Sequence, residues 1–228
     1  MKKIKIAIVQ KPTAYLNLES SLKKMEIYLS DVAPQEPHLV VFGETWLCGY
    51  PAWLDYFPKI ALWDYPPTKK LYRQMLQNGV SVPGPATEKI SALANQYKTY
   101  LAVGINEIVS SGKAYGSLFN SYLIFDPKGE IVQHHRKLMP TYTEKLLYAL
   151  GDGFGLKAVE TPFGKLGGLI CWEHWMPQAR QAMHETGEQI HLAFWPTVHE
   201  MHQLASRHYA FEGRCFVVAA RRILYAKD

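Results

Sequence analysis

The sequence predicts an α/β domain built of stacked layers, and three observations carry that expectation. Short apolar runs of strand length alternate with stretches of helical periodicity through the first hundred residues. Two further runs flank an Asp126-Pro-Lys-Gly129 turn in the middle of the chain, and the alternation of run and helix resumes after residue 164. The resulting order, β-α-β, hairpin, β-α-β-α-β, is that of sheets covered by helices.

Residues 3–9 alternate and are rich in Ile, Ala and Val, which predicts a first strand. Asn17 is placed to cap a helix in which Leu18, Leu22, Met25, Leu29 and Val32 share one face, and Pro34 and Pro37 stop it. Residues 39–42, Leu-Val-Val-Phe, are a compact buried strand that delivers Gly43 and Glu44 to a sheet edge. Parallel strands of a βαβ unit end together, and ligand-binding residues gather there. Residues 45–67 carry Trp46, Tyr50, Trp53, Tyr56, Phe57, Trp63 and Tyr65 among prolines. This composition suits either a satellite core under a long loop or the wall of an apolar pocket.

A second helix opens at Pro83-Gly-Pro85, with Ile90, Leu93, Ala94 and Tyr97 inward, and residues 100–105 form the next strand. Residues 118–125 and 130–135 make the hairpin, which runs into the polar segment His135-Arg-Lys137-Leu-Met-Pro-Thr-Tyr-Thr-Glu144. Residues 151–155 are glycine-rich and read as a flexible loop, since no buried strand precedes them as a dinucleotide loop requires. Residues 166–170 form a short strand that ends on Cys171, and residues 175–186 read as a helix with Pro177 in its first turn. Residues 190–194 and 215–220 are the last strands. Between them residues 199–213 form a helix with Leu204, His208 and Phe211 as inward positions.

The 228 residues suffice for one large core, and no linker divides them, so residues 1–228 are expected to form a single domain. Hydrophobic residues make up 48% and charged residues 20%, ordinary values that exclude disorder and a membrane class. No apolar run reaches the roughly 18 residues of a spanning helix, and no signal segment precedes the first strand, so a cytoplasmic location is expected. The net charge of +5 is scattered in short pairs rather than gathered in a stripe, which argues against nucleic-acid binding. Cys48, Cys171 and Cys215 are odd in number and far apart, so free thiols are expected. His199-Glu-Met-His202 lacks the spacing of a zincin helix, and no metal is expected.

A carboxylate after one strand, a lysine after another and a cysteine after a third contain the parts for acyl transfer at a thiol: base, cation and nucleophile. Each alone has an ordinary reading, Glu44 as a surface cap, Lys137 as a solvated amine, Cys171 as a core thiol. No histidine stands where a cysteine protease would place one, so a carboxylate must serve as base, with its pKa raised by burial. At a strand-to-helix elbow the thiol would face N–H groups and a helix N-terminus, which favour thiolate.

The segments Val41-Phe-Gly-Glu44-Thr-Trp, Tyr50-Pro-Ala-Trp53, His135-Arg-Lys137-Leu-Met-Pro, Gly167-Gly-Leu-Ile-Cys171-Trp-Glu-His, Ala193-Phe-Trp-Pro196 and Phe211-Glu-Gly-Arg-Cys-Phe216 occur in that order. In them the chain resembles a nitrilase of the carbon–nitrogen hydrolase superfamily. That resemblance implies a four-layer αββα sandwich, with Glu44 as general base, Lys137 as the cation at the tetrahedral intermediate, Cys171 as nucleophile and Glu144 as a second glutamate positioning lysine or substrate. Tyr50, Trp53, Trp172 and Trp195 are expected to line the substrate pocket.

The pair Trp172 and Glu173 resembles the nitrilase branch more than the amidase branches. It implies conversion of a nitrile to acid and ammonia through thioimidate and thioester, with no metal or organic cofactor and with assembly as a homodimer or larger homo-oligomer. An amidase using the same residues and a non-catalytic assembly protein are the rival expectations. Two departures from the family pattern stand out: Gly43 where proline is commoner, and a chain that stops before the usual C-terminal strands and tail, leaving Ile223, Leu224 and Tyr225 as apolar residues beside a sheet edge.

Overall fold

The computed structural model describes residues 3–221 and 223. Nine strands and six α-helices are described, in chain order β1 (Ile6–Val9), α1 (Leu18–Val32), β2 (Leu39–Phe42), α2 (Trp53–Tyr56), α3 (Pro66–Gln77), α4 (Pro85–Tyr97), β3 (Tyr100–Ile108), β4 (Leu118–Phe125), β5 (Ile131–Arg136), β6 (Val159–Thr161), β7 (Gly164–Ile170), α5 (Pro177–Glu185), β8 (Ile190–Trp195), α6 (Glu200–Gly213) and β9 (Phe216–Arg221). They form two sheets. The first has order β1-β2-β3-β4-β5, with β1, β2 and β3 parallel and β3, β4 and β5 antiparallel to their neighbours. The second has order β6-β7-β8-β9, with β7, β8 and β9 parallel.

Three apolar layers separate four structural ones. Leu22, Met25 and Leu29 of α1 and Ile90 and Ala94 of α4 pack on Val40, Phe42, Leu101 and Val103 of the first sheet. The opposite face of that sheet, with Leu39, Val41, Ala102, Tyr122 and Ile124, packs on Leu166, Ile170, Leu192 and Phe194 of the second. Beyond it, Leu169 meets Ala179 and Met183 of α5 and Tyr209 of α6. The fold is therefore an αββα sandwich, as expected. β2 and β4 are buried at every position because each sheet is covered on both faces, which is why their sequences run apolar without alternation.

Several boundaries differ from the sequence reading. The first strand begins at Ile6 rather than residue 3, and β3 extends three residues further, to Ile108. α3 and β6 were not expected: α3 opens on two prolines and buries only Met75, so its helical stripe is faint. The expected helix over 175–186 divides into a 3₁₀ turn, Cys171–Trp175, and α5, which starts at Pro177. In α6 the inward residues are Ala205 and Tyr209, while Leu204 and Phe211 are 56% and 78% exposed and His208 is exposed. The helix turns its small and hydroxylated face to the sheet because Tyr209 OH donates to the buried carboxylate of Glu188. Residues 151–155 brace the strand end rather than flex. Gly151 N–H donates to Lys137 O at 3.0 Å, and a Cβ at Gly151 would lie 2.3 Å from Arg136 O and 2.6 Å from Lys137 O. Leu224 and Tyr225 lie outside the described residues.

Glu107 of β3 is buried and accepts hydrogen bonds from Ser121 Oγ at 2.6 Å, His134 Nε2 at 2.8 Å and Arg136 Nε at 3.0 Å. Burial alone would raise its pKa, but the bonds from His134 and Arg136 outweigh it and lower the carboxyl to about 2. A depressed carboxyl stabilises the fold above its ordinary pKa of 4.5 and loses that contribution as pH falls through about 2. The shift corresponds to about 3 kcal/mol. Glu107→Gln is expected to lower Tm at pH 7 and to flatten its fall below pH 4.5. An acid-melting profile identical to that of the parent chain would exclude this contribution.

Candidate active site

Three strand ends of common direction bring the candidate residues together. Glu44 follows β2, Lys137 follows β5 and Cys171 follows β7, so two come from the first sheet and one from the second. The loop bearing Glu44 lies directly on β3. Leu47 N–H donates to Gly104 O at 3.1 Å, and a Cβ at Gly104 would stand 2.4 Å from both Gly43 O and Thr45 N. Only glycine at 104 lets the carboxylate sit this deep. Thr45, Tyr142 and Cys171 have φ of +45°, +44° and +48°. Such left-handed backbone is costly away from glycine and collects at functional sites.

Lys137 Nζ is buried between two carboxylates, 2.8 Å from Glu144 Oε2, 3.1 Å from Glu144 Oε1 and 3.3 Å from Glu44 Oε1. Glu144 also accepts Thr141 N–H at 2.8 Å and the Tyr50 hydroxyl at 2.8 Å, so both its oxygens are engaged. Glu44 differs. Oε1 accepts from Asn120 Nδ2 at 2.7 Å, whereas Oε2 is buried without a hydrogen-bond partner among the described residues. Burial, with Glu144 adding and Lys137 opposing, raises Glu44 to about 7. Burial works against the charge on Lys137, but Glu44, Cys171 and Glu144 outweigh it, and the ammonium is held well above its ordinary range.

Burial, reinforced by Glu44 and Glu144, pushes the Cys171 thiol far up, against the Lys137 charge and the Trp172 N–H that favour thiolate. The turn's pull toward thiolate is thus outweighed in the resting site. The full helix begins six residues after the cysteine, and two carboxylates face the sulfur, so the proton stays until a base removes it.

The four aromatic candidates separate. Tyr50 borders a cavity of about 530 Å³ with Ala52, Tyr56, Pro196, Thr197 and Arg221, beyond the ends of β8 and β9, although its hydroxyl is spent on Glu144. Trp172 is 47% exposed and packs on Trp175. Trp53 borders a different cavity, with Leu54, Tyr72 and Leu147. Trp195 is wholly buried against His174, Trp175 and His202, which makes it core rather than pocket wall. Sequence reasoning missed Asn120, a polar residue inside a strand buried at every position, and His135, which pairs with Glu173. Among the described residues no cluster of three His, Cys, Asp or Glu side chains is arranged to hold a metal.

A family model described as Carbon-nitrogen hydrolase matches residues 5–225. The chain belongs to that family. Among curated relatives of this carbon–nitrogen hydrolase, the bifunctional nitrilase/nitrile hydratase NIT4B of Nicotiana tabacum is 33% identical over 225 residues, covering 99% of this chain and 63% of the tobacco protein. The aliphatic nitrilase of Sinorhizobium fredii (strain HH103) is 34% identical over 230 residues, covering 100% and 72%. The chain thus spans about two thirds of the length of these relatives. A solved amidase from Nesterenkonia sp. AN1, in complex with acrylamide, superposes with a TM-score of 0.72 at 14% identity over 96% of this chain and 76% of that one, which supports the fold.

Proposed function

We propose that this carbon–nitrogen hydrolase converts a nitrile to its carboxylic acid and ammonia, with Cys171 as nucleophile. The observation that carries this reading is the buried quartet: a lysine between two carboxylates, one of them with an oxygen that has no hydrogen-bond partner among the described residues, facing a cysteine at a strand end. Glu44 takes the Cys171 proton as sulfur attacks the nitrile carbon, and Lys137 and the Trp172 N–H stabilise negative charge developing on nitrogen. Protonation gives a thioimidate. Water adds to it, ammonia leaves, and a second water cleaves the thioester, so two waters are consumed for each ammonia. If the tetrahedral adduct expels sulfur instead of ammonia, the product is the amide, in keeping with the double activity in the tobacco relative's name. Glu144 positions Lys137 and Tyr50. The cavity beside Tyr50, of a size suited to small ligands, takes the substrate's side group, with Trp172 at its approach.

An amidase is the second reading, favoured by the solved amidase of the same fold. A panel of aryl, arylalkyl and aliphatic nitriles and the matching amides, assayed for ammonia with Cys171→Ala as blank, separates the two. Ammonia from nitriles supports the first reading, ammonia from amides alone the second, and none from any substrate sinks both in favour of a non-catalytic protein. Assembly as a homodimer or larger homo-oligomer belongs to the same proposal. The exposed Leu204 and Phe211 on α6 supply apolar surface for it, and light scattering behind size exclusion reads the outcome.

A further inference from the structure

Glu173 stands two residues beyond the nucleophile and is wholly buried, yet the proposed chemistry gives it no part. Its Oε1 accepts Leu138 N–H at 2.7 Å and its Oε2 accepts Ile170 N–H at 2.6 Å, while His135 Nε2 reaches both oxygens, at 2.9 and 3.0 Å. Leu138 directly follows Lys137, and Ile170 directly precedes Cys171. One side chain therefore grips the backbone on either side of the seam between the sheets, one residue from the cation and one from the sulfur. β5 and β7 lie in different sheets and share no ladder, so this carboxylate supplies a direct polar tie between their ends. Burial opposes its charge, but His135 and the two N–H groups outweigh it and hold it ionised, below the ordinary carboxylate value.

We propose that Glu173 is a positioning residue, a carboxylate staple that joins the ends of β5 and β7 and fixes the separation of Lys137 from Cys171. The proposal rests on the reading of those two groups as the reacting pair. A carboxylate suits the task because all its lone pairs accept. A glutamine at this place would turn its NH₂ toward either the Leu138 or the Ile170 N–H, and one strand end would be released. Glu44 and Glu144 oppose the Cys171 thiolate and Lys137 favours it, so a looser seam changes the field that sets the sulfur's reactivity.

The test is the rate of Cys171 alkylation by iodoacetamide against pH, followed on the full chain well below its melting temperature, with kcat and KM on any substrate the panel yields. Glu173→Gln is expected to shift the Cys171 profile by about one pH unit, a change of about tenfold in labelling rate at neutral pH. Cys48 and Cys215 should label as before, and kcat should fall with KM little changed. Met25→Ala, a core truncation in the α1 layer away from the strand ends, should lower Tm without moving the profile. If Glu173→Gln does not fold, Glu173→Asp replaces it. That variant keeps the charge but is one methylene too short to hold both ends, and the same shift is expected at smaller size. An unshifted profile in the folded Glu173 variant, or an equal shift in Met25→Ala, overturns the proposal. Labelling needs no substrate, so silence from every nitrile and amide would defeat the proposed function while leaving this result to be read by itself.

Discussion

Cys171→Ala is expected to abolish ammonia release, a loss of at least about 10³-fold in kcat, while Cys48→Ala and Cys215→Ala retain most activity. The three thiols are all buried and all raised in pKa, so burial does not distinguish them. Surroundings do. Cys48 donates to Asn78 O at 2.8 Å, and Cys215 sits in the layer between the second sheet and its helices, each raised by burial to about 12. Cys171 alone faces Glu44, Glu144 and Lys137. Without sulfur there, the glutamates and lysine have no protein nucleophile to activate, and no bond between enzyme and substrate carbon can form. The measurement is kcat for the three variants, with mass spectrometry of the intact chain during turnover for the acyl adduct. More than a few per cent of activity in Cys171→Ala, or an adduct on another cysteine, would remove the assignment.

Glu44→Gln should lower kcat by about 10² or more, the usual worth of a positioned general base. The amide keeps the carbonyl that accepts from Asn120 but cannot take a proton. Glu44 rather than Glu144 is proposed as the base because Glu144 has both oxygens committed to Lys137, Thr141 and Tyr50, whereas Glu44 Oε2 has no partner among the described residues. The pH profile carries the signature. Burial raises Glu44 to about 7, and only its ionised form accepts the thiol proton. Below that value kcat/KM should therefore fall about tenfold per pH unit, and above it level off. The residual activity of Glu44→Gln should lack this limb. Near-parental activity in the variant, or the same limb in its profile, would transfer the role to Glu144.

Much of this site was legible in the sequence because its residues stand at the ends of strands that read clearly. Leu39–Phe42 and Gly164–Ile170 are short strands that close on apolar residues, with Glu44 two residues beyond the first and Cys171 directly after the second, and the topology gathers such ends at one edge. Glu144 was reachable only through the family resemblance, since its place depends on a loop that folds back to Lys137. Asn120 and the pairing of His135 with Glu173 depend on register and on contact between sheets, which no local pattern encodes. The phase of α6 failed for a related reason: a buried Glu188 and the Tyr209 hydroxyl decide which face turns inward, against the larger apolar side chains. The resting proton on Cys171 is set by burial and by two carboxylates distant in sequence, against the turn that carries it, so the turn alone does not reveal it.

The lysine held between two buried glutamates also bears on product release in the proposed reaction. With both carboxylates ionised and the sulfur protonated, the quartet carries one net negative charge. A nitrile enters such a place uncharged and suffers no repulsion. The acid formed from it is an anion beside like charge, and at about 4 Å and an effective dielectric of about 20 that repulsion is on the order of 4 kcal/mol, with Lys137 offsetting part of it. On the proposed reading, such a pocket would admit its reactant and favour release of its product. Free carboxylates in the surrounding solution should accordingly be poor inhibitors, and turnover should persist as acid accumulates.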